Sequence, residues 1–236
     1  MTAHERKDRF LKEDSIFTVS MDDSMHIVSE NHFYKSEAYY TVVRNEMSGI
    51  NTVPSSGQVI EAYVVPICLE KAKLSGIEVS DWEISYQYAS TPCVIYGLNY
   101  FSTPSEFFVV QDEETAKDVI KHVTNKGKYP FCYQKLAEGA KIVAVTSVFG
   151  NVVENENPVV AGMIKDVYRL FKIPLFSAIL IEHDGKYSLS SMGPVRYSKL
   201  TRREKHLLGE YLQSRWAPFT EGETLCYFKM ASLACV

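Results

Sequence analysis

The sequence predicts a mixed α/β or α+β protein, neither all-β nor a helix bundle. Three observations predict it. Helical and strand periodicities alternate along the whole chain. Several strand pairs are separated only by tight turns, which makes them antiparallel neighbours. The strand–helix–strand order of residues 77–133 is repeated between residue 134 and the C-terminus.

Composition sets the outer limits. The chain has 236 residues, of which 46% are hydrophobic and 23% charged, so it can bury a substantial core without disulfide or metal staples. Its net charge of −4 disfavours attraction to nucleic acid. Cys68, Cys93, Cys132, Cys226 and Cys235 are scattered, with no Cys-x-x-Cys, which suits free thiols in a reducing compartment and gives no zinc spacing. The longest apolar runs, 140–149 and 173–181, fall far short of a membrane span, and the charged N-terminus is not a secretory signal. A cytoplasmic protein with no membrane contact is expected.

The elements follow in order. Residues 1–24 are polar with scattered apolar positions, and read as a short helix or a loose arm. Residues 26–29 form a short strand. Ser36 is the N-cap of a helix ending at Gly49, with Tyr39, Tyr40, Val43 and Met47 at helical spacing. Residues 54–57 are a loop. A second helix spans about 59–74, and Pro66 either kinks or restarts it. Strands are expected at 77–84, 93–96 and 107–110. Asp112, Glu113 and Glu114 open a helix through Val123, where acids suit the positive end of the helix dipole. Strands at 130–135 and 141–149 follow, with a hairpin turn at Gly150-Asn151 and a return at Val152-Val153. A helix covers 159–171. Strands at 175–182 and 186–190 flank a turn at His183-Asp184-Gly185. Thr201-Arg-Arg-Glu204 is a capping box for a helix with Leu207, Leu208, Tyr211 and Leu212 on one face. A last strand is expected at 225–230.

Within this frame certain segments stand in a recognisable order: Glu70-Lys-Ala-Lys-Leu-Ser-Gly-Ile-Glu-Val79, Pro92-Cys-Val-Ile-Tyr-Gly97, the helix of 111–123, and Tyr129-Pro-Phe-Cys-Tyr-Gln-Lys-Leu-Ala-Glu-Gly139. Then come the strand of 141–153, Leu175-Phe-Ser-Ala-Ile-Leu-Ile181 and Tyr187-Ser-Leu-Ser-Ser-Met-Gly-Pro194. This order resembles the ATP-grasp ligases, in particular the RimK-like carboxylate–amine ligases. Residues 33–56 resemble the small N-terminal domain that precedes some of them. The resemblance divides the chain into an arm (1–24), a small α/β region (25–76), a first subdomain (77–133) and a second (134–236), meeting near Gln134–Gly139.

What the resemblance implies is ATP-dependent amide-bond formation through an acylphosphate. It also implies a nucleotide cleft at Gln134, Lys135, Leu136 and Lys141. The residues that such chemistry needs are replaced. Tyr96 stands where the resemblance places a phosphate-binding lysine, Ser190 and Met192 where it places the magnesium carboxylate and asparagine, and Ala178 where it places a further acid. Neither Ser190 nor Met192 is a suitable Mg²⁺ ligand. The glycine-rich loop is reduced to Gly97, followed by Leu98-Asn99-Tyr100-Phe101.

The first reading is therefore a degenerate, non-catalytic homologue that binds a partner protein or peptide, with or without a nucleotide, in a biosynthetic complex. The second is an active ligase using Lys135 or Lys141 on phosphate and Glu154 or Glu156 on metal. The third is a module binding phosphate or an acidic partner through Arg196, Lys199, Arg202 and Arg203, a basic cluster in an acidic chain. Mg²⁺ is not expected in the first reading, and the oligomeric state stays open. No Gly-Lys-Ser/Thr loop, Gly-x-Ser-x-Gly elbow or His-Glu-x-x-His occurs. His183-Asp184 reads as a turn rather than an acid–base pair.

Overall fold

A computed structural model describes residues 11–21, 23–100, 102–103, 105–154 and 157–214. The chain opens with an antiparallel hairpin of β1 (Phe17–Met21) and β2 (Ser24–Val28). Over residues 17–21 the expected helix or loose arm is thus corrected to a strand, and residues 1–10 of that segment lie outside the described residues. Phe17 and Val19, two residues apart, both pack into one core with Val28, Val148 and Leu175, which is the period of a strand.

Helix α1 (Glu37–Met47) starts where Ser36 accepts from the Tyr39 amide, at 3.2 Å. Its buried side is Ala38 and Val42 against Ile27, whereas Tyr40 and Met47 are exposed. The apolar face is therefore rotated from the one that the aromatic spacing suggested. Strand β3 (Thr52–Val53) adds in parallel to β2 and completes a small sheet, β1-β2-β3.

Two helices replace the single expected one. Helix α2 (Ser56–Tyr63) begins with a Ser55/Gln58 capping box, inside the segment read as a loop. Val64 is then extended, and α3 (Val65–Leu74) restarts with Pro66 in its first turn. Proline is tolerated there because its missing N–H would have no helical partner.

The next segment runs between two sheets and is mostly not the strand expected at 77–84. Ile77 enters one core, Val79 makes a single parallel bridge to Leu189, and the Leu189 amide donates to the Glu78 carbonyl at 2.8 Å. Pairing proper begins at β4 (Trp82–Ser85). Strands β5 (Cys93–Gly97) and β6 (Phe107–Val110), helix α4 (Glu113–Val123) and strand β7 (Phe131–Lys135) follow. The sheet order is β4-β7-β5-β6, antiparallel throughout. Asp112 caps α4 by accepting from the Thr115 amide, and that bond holds its carboxyl below the usual range. The acidic run at 112–114 is thus a helix start.

The third sheet contains β8 (Lys141–Val148), β9 (Leu175–His183) and β10 (Lys186–Gly193), ordered β10-β9-β8. Helix α5 (Pro158–Phe171) connects the first two. The hairpin expected at Gly150-Asn151 closes only as one bridge, Val148↔Asn151. Asn157 accepts from the Val159 amide and Pro158 opens α5, so the chain leaves for a helix before a second strand can form. Strand β8 pairs instead with β9, from Lys141↔Glu182 to Val148↔Leu175. The β9–β10 hairpin turns at Asp184 and Gly185 as predicted, both with positive φ.

Helix α6 (Arg202–Ser214) has its expected capping box: Thr201 Oγ1 accepts from the Glu204 amide, and a Glu204 carboxylate oxygen accepts from the Thr201 amide. Leu208 and Leu212 bury with Val19, Phe149 and Tyr197. The strand expected at 225–230 lies outside the described residues.

A buried acid ties the N-terminal hairpin to this end of the fold. Glu30 accepts from the Asp14 amide at 3.0 Å and from the Tyr197 amide at 2.6 Å. Glu30→Gln presents an NH₂ to one of these two donors, so it is expected to cost about 2 kcal/mol. Chemical denaturation checks this as a lower midpoint at unchanged slope.

Candidate functional site

The four-stranded sheet has two buried faces. On the outer face, Cys93, Ile95, Val110, Phe131 and Tyr133 pack under Ala116, Ile120 and Val123 of α4. On the inner face, Val94, Tyr96, Cys132 and Leu136 meet Val65 and Leu69 of α3 and Ile181 of β9. The inner face therefore touches the three-stranded sheet directly, and α3 lies along the joint.

Three hydrogen-bonding side chains meet at this joint, and all are buried. Gln134 of β7 and Ser190 of β10 each have 0% exposure, and Tyr96 of β5 has 1%. The Tyr96 hydroxyl lies 2.6 Å from Ser190 Oγ, and Ser190 Oγ lies 2.5 Å from Gln134 Oε1. An amide oxygen only accepts, so Ser190 uses its single proton there, and Tyr96 donates to Ser190. A chain of hydrogen bonds thus crosses from one sheet to the other. Burial pushes the Tyr96 hydroxyl well above its usual range, which keeps it a neutral donor. Gln134 Nε2 and Ser191 Oγ, on the same two strands, have no partner in the structure.

The loop after β5 begins against the same apolar core, with Leu98 packed on it. Asn99 shapes the loop, donating to the Val123 carbonyl at 2.7 Å and accepting from the Ser102 amide at 2.9 Å. Tyr34 donates to the Tyr100 carbonyl at 3.3 Å, and Lys35 Nζ lies 3.3 Å from the Tyr100 ring centroid. Ser105 rests on Gly193 at the end of β10: a Cβ there would sit 2.8 Å from Ser105 Oγ. Gly193→Ala is expected to cost about 1–2 kcal/mol by lifting this loop, measurable by thermal denaturation with the Ser105→Gly background as the control that restores stability.

In comparisons with known proteins, no protein-family model matches the chain, and no curated protein matches it in sequence. Solved structures do. A RimK-domain ATP-grasp protein from Sphaerobacter thermophilus superposes with a TM-score of 0.55 at 10% identity, over 74% of this chain and 77% of that one. The D-alanine–D-alanine ligase of Helicobacter pylori gives 0.54 at 12%, over 75% and 68%. The ATP-grasp ligase PsnB, in complex with precursor peptide PsnA2 and AMPPNP, gives 0.51 at 13%, over 89% and 86%. The fold is the ATP-grasp fold.

The ATP-grasp resemblance assigned a nucleotide cleft to Gln134, Lys135, Leu136 and Lys141. The structure separates these four. Gln134 is held by Ser190, and Leu136 is part of the joint's apolar core. Lys135 is exposed on the opposite face of β7, 3.3 Å from Glu83, which also accepts from Tyr133 at 2.5 Å. Those hydrogen bonds, Tyr133's first, hold the Glu83 carboxyl below its usual range. Lys141 is exposed at the start of β8. The crossing between sheets falls at 136–140, after Gln134, which lies inside β7.

The positions that the resemblance gives to metal ligands are equally divided. The ladder of β9 and β10 is irregular between Leu189 and Ser191. Ser190 joins the inter-sheet chain, whereas Met192 and Ala178 are buried in another core with Ile164, Val167 and Leu180. Glu154 is exposed, and Glu156 lies outside the described residues. Among the described residues no group of three His, Cys, Asp or Glu is placed to hold a metal ion. The described residues of this joint thus do not fit Mg²⁺ and a triphosphate: they are a neutral tyrosine, a serine, an amide and apolar side chains where charge neutralisation is required.

The cysteines are structural. Cys68, Cys93 and Cys132 are free and buried, and burial pushes Cys68 and Cys132 up to about 12, so neither thiol is a nucleophile near neutral pH. His183 is half-exposed beside the β9–β10 turn, 3.8 Å from Asp184. Arg196, Lys199, Arg202 and Arg203 are all exposed at one end of the fold. Among the described residues no helix is long and apolar enough to cross a membrane. Sequence reasoning did not find Glu30, or the pairing of Tyr96 with Ser190 and Gln134. A glutamine in a strand of otherwise buried residues was the available signal for the latter.

Proposed function

We propose that this chain is a non-catalytic protein of ATP-grasp fold that binds a partner protein or peptide in a biosynthetic complex in the cytoplasm, with neither ATP nor Mg²⁺ as a cofactor. The observation that carries the reading is the buried Tyr96–Ser190–Gln134 chain. It joins the two sheets where the fold's ligases would need a cation-lined opening. Removing water and phosphate from a buried site favours neutral groups that hydrogen-bond one another, and these three do, with Gln134 Nε2 and Ser191 Oγ the buried polar atoms left over. That PsnB is solved with a precursor peptide supports a peptide as the kind of partner.

The active-ligase reading needs Lys135 or Lys141 to reach phosphate. Lys135 faces away from the joint and is paired with Glu83, which favours the non-catalytic reading. Calorimetric titration with AMP-PNP and Mg²⁺ tests the choice. No saturable heat is expected up to millimolar nucleotide. Saturable binding with a Kd below about 1 mM, equivalent to about −4 kcal/mol, would overturn the reading.

A further inference from the structure

We infer that the exposed cations Arg196, Lys199, Arg202 and Arg203 form the docking surface for an acidic peptide segment of the partner. The inference rests on the partner-binding reading and names the chemistry of what is bound.

The first ground is the placement of charge. Arg202 and Arg203 occupy the first two positions of α6, at the positive end of its dipole, where cations are disfavoured. Helix α4 of the same chain follows the opposite rule, with Glu113 and Glu114 in its first turn. The arginines therefore do not serve the helix that carries them. Nor are they neutralised locally. Among the described residues, Lys199, Arg202 and Arg203 have no ion-pair partner, and Arg196 has only exposed Glu13 at 3.7 Å. Glu204, the one acid within the cluster, is buried and spent on the Thr201 amide.

The second ground is rigidity. The cations alternate with anchored residues. Val195, Tyr197, Leu200, Glu204 and Leu208 are buried. The Val195 amide donates to the Glu30 carbonyl at 3.1 Å, the Tyr197 amide to the Glu30 carboxylate, and the Tyr197 hydroxyl to the Ser15 carbonyl at 3.1 Å. The backbone bearing the charges is thus fixed before anything binds, which lowers the ordering cost of association.

The occupant follows from complementarity. Four cations in eight residues match a short run of carboxylates. Among the described residues 195–212 no aromatic ring is exposed, so that stretch offers stacked bases no platform. The chain's net charge of −4 disfavours a long polyanion beyond the patch.

The test uses the full chain and a fluorescein-labelled octaglutamate peptide, read by anisotropy. Saturable binding at low salt is expected, and it should be lost at about 1 M salt, where the Debye length is about 3 Å. Arg202→Glu with Arg203→Glu should weaken binding about tenfold or more and raise the melting midpoint, because acids suit that helix end. Lys117→Glu, on α4, should leave binding unchanged. No binding at low salt, or equal weakening by Lys117→Glu, would overturn the inference. Tighter binding of an oligothymidylate than of the peptide, or displacement of the peptide by low-millimolar inorganic phosphate, would overturn it in favour of those ligands. The nucleotide titration reads the closed joint and the anisotropy reads this surface, so either can fail alone.

Discussion

Tyr96→Lys, which places a lysine where the ATP-grasp resemblance calls for one, is expected to unfold the protein or leave it barely stable. Tyr96 is 1% exposed, among Val94, Cys132, Leu69 and Ile181. An ammonium there has neither water nor a carboxylate. Buried lysines respond by losing their proton, with pKa values depressed by four to five units, a cost of about 6 kcal/mol at neutral pH. That matches the whole stability of many domains. Tyr96→Phe is the comparison. It keeps the ring and removes only the donor to Ser190 Oγ, for about 1–2 kcal/mol. Urea denaturation of both variants reads the difference. A Tyr96→Lys protein as stable as the wild type would mean that water reaches this position.

Acid lability is the second large effect. His32 is fully buried, and its Nε2 donates to the Ile27 carbonyl at 3.0 Å. A carbonyl only accepts, so the neutral ring carries its proton on Nε2, and Nδ1 has no partner. A second proton would create an uncompensated buried cation. Burial accordingly lowers the pKa from 6.5 to about 4, against a smaller opposing contribution from the Ile27 bond. The sign follows. Between these values the unfolded chain holds more protons than the folded one, so stability rises with pH. His32 contributes no penalty above pH 6.5. Its penalty grows as pH falls, and levels off near pH 4 at about 3 kcal/mol. His32→Gln keeps a donor for Ile27 and cannot titrate. The difference in unfolding free energy between the two proteins, measured from pH 7 to pH 4, should change by that amount. A constant difference would contradict the burial account.

Much of the fold was legible because its signals are local. Ser36 and the Thr201/Glu204 pair cap the helices they were expected to cap, and the acidic run at 112–114 starts α4 as expected, with Asp112 as its cap. The His183-Asp184-Gly185 turn joins β9 to β10, and the period of α5 buries Val160, Ile164, Val167 and Phe171. The misses are non-local. Nothing within residues 141–153 says that the partner of β8 is β9, which lies beyond a helix. Strand β1 is five residues with two polar ones among them, and only its pairing with β2 makes it a strand.

The candidate site divides in the same way. That Tyr96 stands where the resemblance places a lysine, and Ser190 and Met192 where it places metal ligands, could be read in the sequence. What these residues do in the fold could not. Tyr96, Gln134 and Ser190 are separated by 38 and 56 residues, and their hydrogen bonds exist only once two sheets have met. Gln134 and Lys135, adjacent in the proposed cleft, point to opposite faces of β7 because successive strand residues alternate.

Amide hydrogen exchange across β5 and β10, with and without millimolar ATP and Mg²⁺, tests the closed joint most directly. The account predicts that the amides of Val94, Ile95 and Tyr96 and of Leu189, Ser190 and Ser191 exchange only through global unfolding, at rates that nucleotide leaves unchanged. Fast exchange in these strands that ATP and Mg²⁺ suppress would contradict it, because it would mean that the two sheets open to admit the nucleotide.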